Sequence, residues 1–180
     1  MVVNSSSEAV VETTVNQARF DIETIFLAHY DRVVRVIERV VRDPARAEEL
    51  AVDVFLKLWR APKAQGENMK GWIYRTAVRK GLDELRRRTR RFRYENRFGF
   101  RKVQSPEEIA VSAEEQERVR FVLALINPRK AELLLLRSQG LTYEELALAL
   151  DLNAASVGTL LSRAEQAFRK EYIKRYGQEE

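Results

Sequence analysis

Residues 140–163 read GLTYEELALALDLNAASVGTLLSR, and this stretch decides how the last third of the chain folds. Its pattern predicts two short helices joined by a tight turn. Asp151 and Asn153 flank the turn, because both residue types tolerate left-handed backbone and cap helices. Ala147 is small enough to let the second helix approach closely. The side chains expected to fill the core between the helices are Leu146, Leu150, Leu152, Val157 and Leu160. The stretch therefore predicts a helix-turn-helix, which lays its second helix in the DNA major groove.

Composition restricts both the fold and the chemistry open to the chain. It has 180 residues, 45% of them apolar and 33% charged, with 7 glycines and 4 prolines. These proportions, together with helical spacing, predict an all-α protein. The absence of cysteine excludes disulfides and thiolate metal sites, and a single histidine argues against a His-based metal site or a Ser–His pair. We expect no metal, no cofactor and no enzymatic activity.

Charge and hydropathy indicate the setting in which the chain acts. Its formal net charge of +5 permits a polyanionic partner. No apolar run is long enough to cross a bilayer, and the N-terminus lacks the basic-then-apolar pattern of a signal peptide. These features predict a cytoplasmic protein without membrane insertion.

Helical spacing begins after a polar N-terminal stretch. Residues 1–18 are predicted to be a disordered tail. Asp43 and Pro44 supply the N-cap and first position of a helix, so they separate the first helix from the second. His29 lies on the apolar face of the first helix and is expected at the edge of the core, without a catalytic role. The three N-terminal helices are expected to cover about 20–42, 44–60 and 69–91, with a loop at 61–68.

A strongly basic segment follows the third helix. Between residues 86 and 102, nine cations face one acid, Glu95, and four aromatic rings are interleaved with them. Such a segment is either a solvated helix end with a linker or a nucleic-acid contact, with cations on phosphate and rings free to stack. Ser105 and Pro106 then indicate a helix start, and the next domain is expected from about Ala113.

The order of three segments carries a family resemblance. They are AEELAVDVFLKLWR at 47–60, WIYRTA at 72–77 leading to LDELRR at 82–87, and the helix-turn-helix. In this order they resemble the extracytoplasmic-function sigma factors, the group-IV bacterial sigma factors, over roughly residues 20–172. The resemblance implies a sigma-2-like domain of three or four helices and a sigma-4-like helix-turn-helix domain, joined by a flexible linker. The corresponding spans are 19–95, 113–176 and 96–112.

The first segment is similar to the family helix that grips the β′ coiled coil of core RNA polymerase, and the family implies contact with the β flap as well. A gripping helix needs apolar anchors among charges. Phe55 and Trp59 can equally be core residues, and Asp53 and Lys57, one turn apart, can simply pair on the surface. The residues implied in polymerase binding are Glu49, Leu50, Asp53, Phe55, Leu56, Trp59 and Arg60.

The second segment looks like the family part that opens promoter DNA and reads the minus-ten element. Strand opening uses rings that replace a stacked base, a pocket for a flipped base, and cations that hold the displaced strand. The polar loop before it would help capture the base, although Trp72 can equally cap the core and the loop can be only a connection. The residues implied are Lys63, Asn68, Lys70, Trp72, Tyr74, Arg75, Arg79, Arg86 and Arg87.

The helix-turn-helix resembles the family reader of the minus-thirty-five element. Groove-facing side chains are expected from the first turns of its second helix. The first helix would begin near the DNA backbone, where Glu144 can equally be a plain N-terminal helix acid. The residues implied are Tyr143, Glu144, Ser156, Thr159, Ser162 and Arg163.

Four positions depart from the family pattern. Val52 stands where the family usually has glutamine. Arg79 stands where it often has asparagine, which alters the base pocket because arginine is longer and only donates hydrogen bonds. Gly158 and Leu160 stand where the reading helix often has cations, and glycine costs about 1 kcal/mol of helix stability relative to alanine. The minus-thirty-five contact is therefore expected to depend less on charge.

Three functions remain open from the residues alone. The first is a promoter-recognition subunit that binds core RNA polymerase and promoter DNA. The second is a helix-turn-helix regulator whose N-terminal half binds an effector or dimerises. The third is a metal-dependent nuclease using Asp53 and Asp83, which lacks a convergent third ligand. The resemblance favours the first and further implies a separate anti-sigma partner, since no self-inhibiting extension follows the reading helix.

Overall fold

A computed structural model describes residues 20–96 and 109–177. All regular secondary structure in these two ranges is helical, which confirms the all-α prediction. Short 3-10 turns occur at Pro62–Ala64 and Ala154–Ser156. The predicted tail and residues 97–108 of the predicted linker lie outside the described residues. The α-helices are α1 (Ile22–Val41), α2 (Pro44–Trp59), α3 (Met69–Asn96), α4 (Ile109–Leu125), α5 (Pro128–Ser138), α6 (Tyr143–Leu150) and α7 (Val157–Tyr176).

Helices α1, α2 and α3 form an N-terminal bundle with an aliphatic core. The cap predicted between the first two helices is confirmed: Pro44 occupies the first turn of α2, and the Asp43 carboxylate accepts a hydrogen bond from the Arg46 amide at 3.0 Å. Arg42 ends α1 in left-handed backbone with φ of 52°. The buried side chains of the bundle include Val33, Ile37, Val54, Leu58, Ile73 and Leu82.

A buried carboxylate on α3 braces the corner between α1 and α2. Glu84 is only 5% exposed and accepts hydrogen bonds from Arg46, Arg87 and Arg88. Arg88 also donates to the Val41 carbonyl at 3.1 Å, at the end of α1. The corner is thus tied to α3 by charged hydrogen bonds as well as by apolar packing.

Helix α3 extends to Asn96, about five residues beyond the predicted end. No glycine or proline occurs between residues 86 and 96, and arginine is a good helix former, so nothing in the local sequence ends the helix earlier. Helix α4 begins at Ile109, inside the segment predicted as linker.

The helix-turn-helix of the C-terminal half is confirmed as α6, the 3-10 turn and α7. Helix α6 begins with a capping box, in which Thr142 and Glu145 each accept the other's backbone N–H. It ends at Asp151, which adopts left-handed backbone with φ of 55°, and the Asn153 side chain caps the 3-10 turn that follows. Gly140, with φ of +83°, ends the turn after α5 in a conformation that favours glycine.

The two halves of the chain pack against each other through α3, which contacts α4, α5 and α6. A close approach occurs at Gly71 in the first turn of α3. A Cβ placed there would lie 2.6 Å from Oδ1 of Asn68 and 3.2 Å from the Cα of Ala149 in α6. Glycine at this position therefore lets the backbones of α3 and α6 come close without displacing either neighbour.

Candidate functional site

Helix α2 presents an apolar stripe to solvent. Val52, Leu56 and Trp59 follow one another at four- and three-residue steps, so they lie on one face of the helix. Leu56 is 41% exposed and Trp59 is 58% exposed. Exposed apolar side chains aligned in this way, with Glu49, Lys57 and Arg60 also exposed on the helix, form a surface suited to a protein partner.

The structure divides the residues implied in polymerase binding into two groups. Glu49, Asp53, Leu56, Trp59 and Arg60 are exposed. Leu50 and Phe55 are buried, and the Phe55 ring packs edge-on against Phe26 at 4.9 Å between centroids. These two residues are therefore core residues of the bundle and are not available to a partner. For Phe55, this is the alternative that the sequence left open.

Two details of this face were missed from the sequence. Val52, noted only as a departure from the family, belongs to the exposed stripe. Its helical spacing with Leu56 and Trp59 could have predicted that it shares their face of α2. Asp53 pairs with Lys80 of α3 at 2.9 Å, not with Lys57 of its own helix. The partner of Asp53 lies 27 residues away, and only tertiary packing brings it close.

The two aromatic residues of the candidate minus-ten segment differ in exposure, and only an accessible ring can take part in strand opening. Tyr74 is buried, and its hydroxyl lies 3.3 Å from Nδ1 of His29. Trp72 is half-buried and packs against the core. Lys63, in the 3-10 turn before α3, is exposed. Tyr74 is therefore a core residue, whereas Trp72 retains a partly accessible ring.

His29 lies at the edge of the core, as predicted. Burial, helped by the charges of Lys70 and Arg32, holds the pKa of the His29 imidazole below its ordinary value, which favours the neutral ring.

Four polar residues of the candidate minus-ten segment contact the C-terminal half of the chain. The Asn68 amide donates to the Leu148 carbonyl at 2.6 Å, and Lys70 pairs with Glu145 at 3.4 Å. Arg79 donates to Glu132 at 2.9 Å, and Arg86 donates to the Ala124 carbonyl at 3.4 Å. Residues predicted to touch DNA thus contact α4, α5 and α6 in this structure.

The other two arginines of the segment differ in environment. Arg75 is half-buried, and burial, reinforced by the charge of Arg79, lowers the pKa of its guanidinium. Its Nε atom has no hydrogen-bond partner among the described residues. Arg87 is exposed and donates to Glu84 at 2.8 Å. Arg87 thus has a structural role in the corner, and the Nε atom of Arg75 is a buried donor without an acceptor among the described residues.

All six residues implied in minus-thirty-five recognition are exposed. Thr159, Ser162 and Arg163 share one face of the first turns of α7. The Tyr143 ring lies close to the start of α7, since a Cβ on Gly158 would be 3.5 Å from its Cε2 atom, and the Arg137 guanidinium lies over that ring at 5.5 Å. The other residues of the set are Glu144 and Ser156. The helix-turn-helix thus exposes all of these side chains near the N-terminus of α7.

Replacing Gly158 by alanine is expected to stabilise the chain by about 0.5–1 kcal/mol, because alanine is the better helix former and a Cβ meets Tyr143 only at ordinary contact distance. The measurement is the thermal midpoint, which should rise by about 1–4 °C. Gly140→Ala is the matched control and should lower it, since φ there is +83°. A fall for Gly158→Ala would contradict the helical assignment of this turn.

Within residues 20–96 and 109–177, no three His, Asp or Glu side chains are grouped to hold a metal ion. Asp83, one of the acids of the nuclease alternative, lies 3.9 Å from Arg86. None of the described helices combines the length and apolar character needed to span a membrane.

Comparison with known proteins identifies the N-terminal half and then the whole chain. The family model "Sigma-70 region 2" matches residues 25–91, which cover most of α1, all of α2 and most of α3. The chain is 32% identical over 146 residues to the ECF RNA polymerase sigma factor SigK of Mycobacterium sp. (strain KMS), covering 73% of this chain and 75% of that protein. It is 30% identical over 156 residues to SigK of Mycolicibacterium vanbaalenii, covering 80% and 78% of the two chains.

A more distant relative aligns along nearly the full length. The RNA polymerase sigma-H factor of Pseudomonas aeruginosa is 23% identical over 185 residues, with 94% of this chain and 95% of that protein covered. This alignment, which covers 94% of the chain, includes both helical halves. The chain belongs to the extracytoplasmic-function family of RNA polymerase sigma factors.

Proposed function

We propose that this sigma factor binds core RNA polymerase through the exposed face of α2 and directs it to specific promoters. In this proposal the segment from Lys63 to Arg87 recognises the minus-ten element and helps to open the DNA. The helix-turn-helix reads the minus-thirty-five element. The protein contributes binding and strand separation and performs no covalent chemistry.

The observation that carries this proposal is the apolar stripe of Val52, Leu56 and Trp59 on α2. The stripe lies within the residues matched by the sigma-70 region 2 model. Leu50 and Phe55 of the same helix are buried in the bundle, so the stripe on the opposite face of α2 points to solvent. A regulator that acts on DNA alone would need this surface only for an effector or a second copy.

The DNA-binding part of the proposal is supported by the surface around the start of α7. Thr159, Ser162 and Arg163 are exposed together, and the first turn of α7 holds no acidic residue that would repel phosphate. Neutral Gly158 and Leu160 leave Arg163 as the cation within this group. We therefore infer that the minus-thirty-five contact rests mainly on hydrogen bonds and shape, with a shallow salt dependence.

The test is reconstitution of transcription. Purified bacterial core RNA polymerase, the chain and genomic DNA are combined, and the 5′ ends of the transcripts are sequenced. We expect discrete start sites that core polymerase alone does not produce, preceded by a shared pair of sequence elements. Lack of association with core polymerase, combined with duplex binding by a dimer of the chain, would favour the regulator instead.

We also propose, from the family resemblance, that a separate anti-sigma protein controls this chain. Such a partner should bind the purified chain and abolish the reconstituted transcription at equimolar concentration. An affinity pull-down from native cells that returns only polymerase subunits would count against it.

A further inference from the structure

We propose that Lys80 of α3 is a positioning residue for polymerase binding. It acts through Asp53 of α2, whose carboxylate it holds in one orientation on the face that binds core RNA polymerase. This inference rests on the proposed function, because that function assigns the exposed face of α2, including Asp53, to the polymerase. Lys80 is not among the residues that the family resemblance implies in any contact.

The ion pair between Lys80 and Asp53 is the first argument. The Lys80 ammonium donates to Oδ2 of Asp53 at 2.9 Å. The Lys80 side chain is only 28% exposed, so the protein covers most of its stem, whereas the Asp53 side chain is 54% exposed. A largely covered cation on α3 therefore holds a carboxylate that remains accessible from solvent.

The second argument is the acceptor that this ion pair leaves unused. Oδ1 of Asp53 makes no hydrogen bond to any described residue. Asp53 is adjacent in sequence to Val52 and one helical turn from Leu56, so it borders the apolar stripe. A carboxylate accepts several hydrogen bonds, so a donor of the polymerase can bind Oδ1 while Lys80 stays on Oδ2.

Glu49, the other acid implied in polymerase binding, is held in a similar way. It lies four residues before Asp53 on the same face of α2, where two like charges repel each other. Arg46 contacts Oε2 of Glu49 at 2.6 Å and also pairs with Glu84 of α3 at 3.2 Å. Each acid of the face is thus paired with a cation that belongs to α3 or is bound to it, which offsets the repulsion and restrains both side chains.

The ion pair is expected to strengthen polymerase binding, because a side chain already held in one orientation loses less conformational freedom when an interface forms. An aspartate without a partner exchanges among staggered rotamers about its Cα–Cβ bond, and Lys80 favours the rotamer that reaches it. Helix α3 also carries the candidate minus-ten residues. The helix proposed to approach promoter DNA therefore also sets the polymerase-binding carboxylate of α2.

The test is Lys80→Met, which keeps much of the apolar stem and removes the charge. We expect the affinity for core polymerase, measured by fluorescence anisotropy of the labelled chain, to fall about 3- to 10-fold. The thermal midpoint should change by less than about 4 °C, because partly exposed ion pairs contribute little to stability. Wild-type affinity of this variant would overturn the proposal.

Two further variants at lysine positions serve as controls. Lys80→Arg should restore most of the affinity, since a guanidinium can also donate to the Asp53 carboxylate. Lys130→Met replaces a half-buried lysine of α5 and should leave the affinity unchanged. An equal loss in Lys130→Met would show that removing any half-buried lysine has this effect, and would contradict a specific role for Lys80.

A double-mutant cycle tests whether Lys80 acts through Asp53. Asp53→Ala should weaken polymerase binding at least as much as Lys80→Met does, and adding Lys80→Met to Asp53→Ala should cause no further loss. A lysine that contacted the polymerase directly would weaken binding equally in both backgrounds. Equal losses in both backgrounds would therefore rule out positioning.

The orientation of the Asp53 side chain is measured without polymerase, from the three-bond NMR couplings across its χ1 angle in the isotope-labelled chain. We expect the couplings of a single rotamer in the wild type and in Lys80→Arg, and averaged couplings in Lys80→Met. Averaged couplings in the wild type would refute positioning by Lys80. Failure of the wild-type chain to bind core polymerase would refute the proposed function instead, and the couplings would still report whether Lys80 fixes Asp53.

Discussion

Replacing Leu56 and Trp59 together by alanine is expected to weaken binding to core RNA polymerase at least about 30-fold, a loss of about 2 kcal/mol or more. Both side chains project from α2 into solvent, and aromatic and large apolar anchors dominate most protein interfaces. Binding is measured by fluorescence anisotropy of the labelled chain titrated with core polymerase, and activity by transcription from a mapped promoter.

The fold should survive this double substitution, because truncating exposed side chains changes stability by only about 0.5 kcal/mol each. Leu27→Ala is the matched control: it removes an apolar side chain that is 74% exposed, from α1 rather than from the stripe. Phe55→Ala is unsuitable as a test of binding. Its ring is 3% exposed, and its loss should cost about 3–5 kcal/mol of folding stability. Wild-type affinity of the double variant would remove the α2 stripe from the proposed function.

Replacing Glu84 by alanine is expected to destabilise the chain by about 2–3 kcal/mol and to lower its thermal midpoint by about 5–10 °C. The carboxylate is buried and accepts hydrogen bonds from Arg46, Arg87 and Arg88. The loss falls below that of a fully buried pair because these arginines are partly exposed and can regain water. Differential scanning calorimetry and urea unfolding provide the measurement.

The pH dependence of stability gives an independent check on the Glu84 cluster. Burial by itself would raise the pKa of Glu84, but the hydrogen bonds from Arg87 and Arg46 outweigh burial and hold that pKa below its ordinary value near 4.5. The carboxylate therefore stabilises the fold fully above that value, and this contribution is lost as the pH falls through the lowered pKa. Glu84→Gln should flatten the acid side of the stability profile.

Glu48→Ala, which removes an exposed acid from α2, should leave stability within about 0.5 kcal/mol of the wild type. A Glu84→Ala variant as stable as this control would show that the corner between α1 and α2 is held by apolar packing alone.

Features that depend on neighbouring residues were predictable from the sequence. The turn of the helix-turn-helix requires a left-handed residue, and Asp151 supplies it. The cap at Asp43 and Pro44 likewise follows from the needs of the first turn of a helix, whose N–H groups lack partners. The end of α3 was predicted too early, near Arg91. No glycine or proline interrupts the helix there, and residues with favourable helix propensity extend it to Asn96.

The candidate site was less predictable because the role of a residue there depends on which face its helix buries. Phe55 and Leu56 are adjacent and both apolar, and the resemblance implied both in polymerase binding. Helical spacing with Leu50, Val54 and Leu58 predicts Phe55 on the buried face, which is confirmed. The rings of Phe26 and Tyr30 pack against Phe55, which leaves Leu56 in solvent. Tyr74 was assigned to DNA for its aromatic ring, yet the same apolar ring is buried beside His29.

The sequence by itself determined the order of the helices, the cap at Asp43, the turn of the helix-turn-helix and the family, since all of these rest on residue order and on interactions over three or four positions. Tertiary structure alone decided which side chains of α2 are exposed, and which polar groups of the α3 segment are hydrogen-bonded or ion-paired within the chain. Asn68 and Leu148 lie 80 residues apart, and Arg79 and Glu132 lie 53 apart. Such contacts form only when whole helices pack, because their energy depends on three-dimensional proximity and no local pattern encodes it.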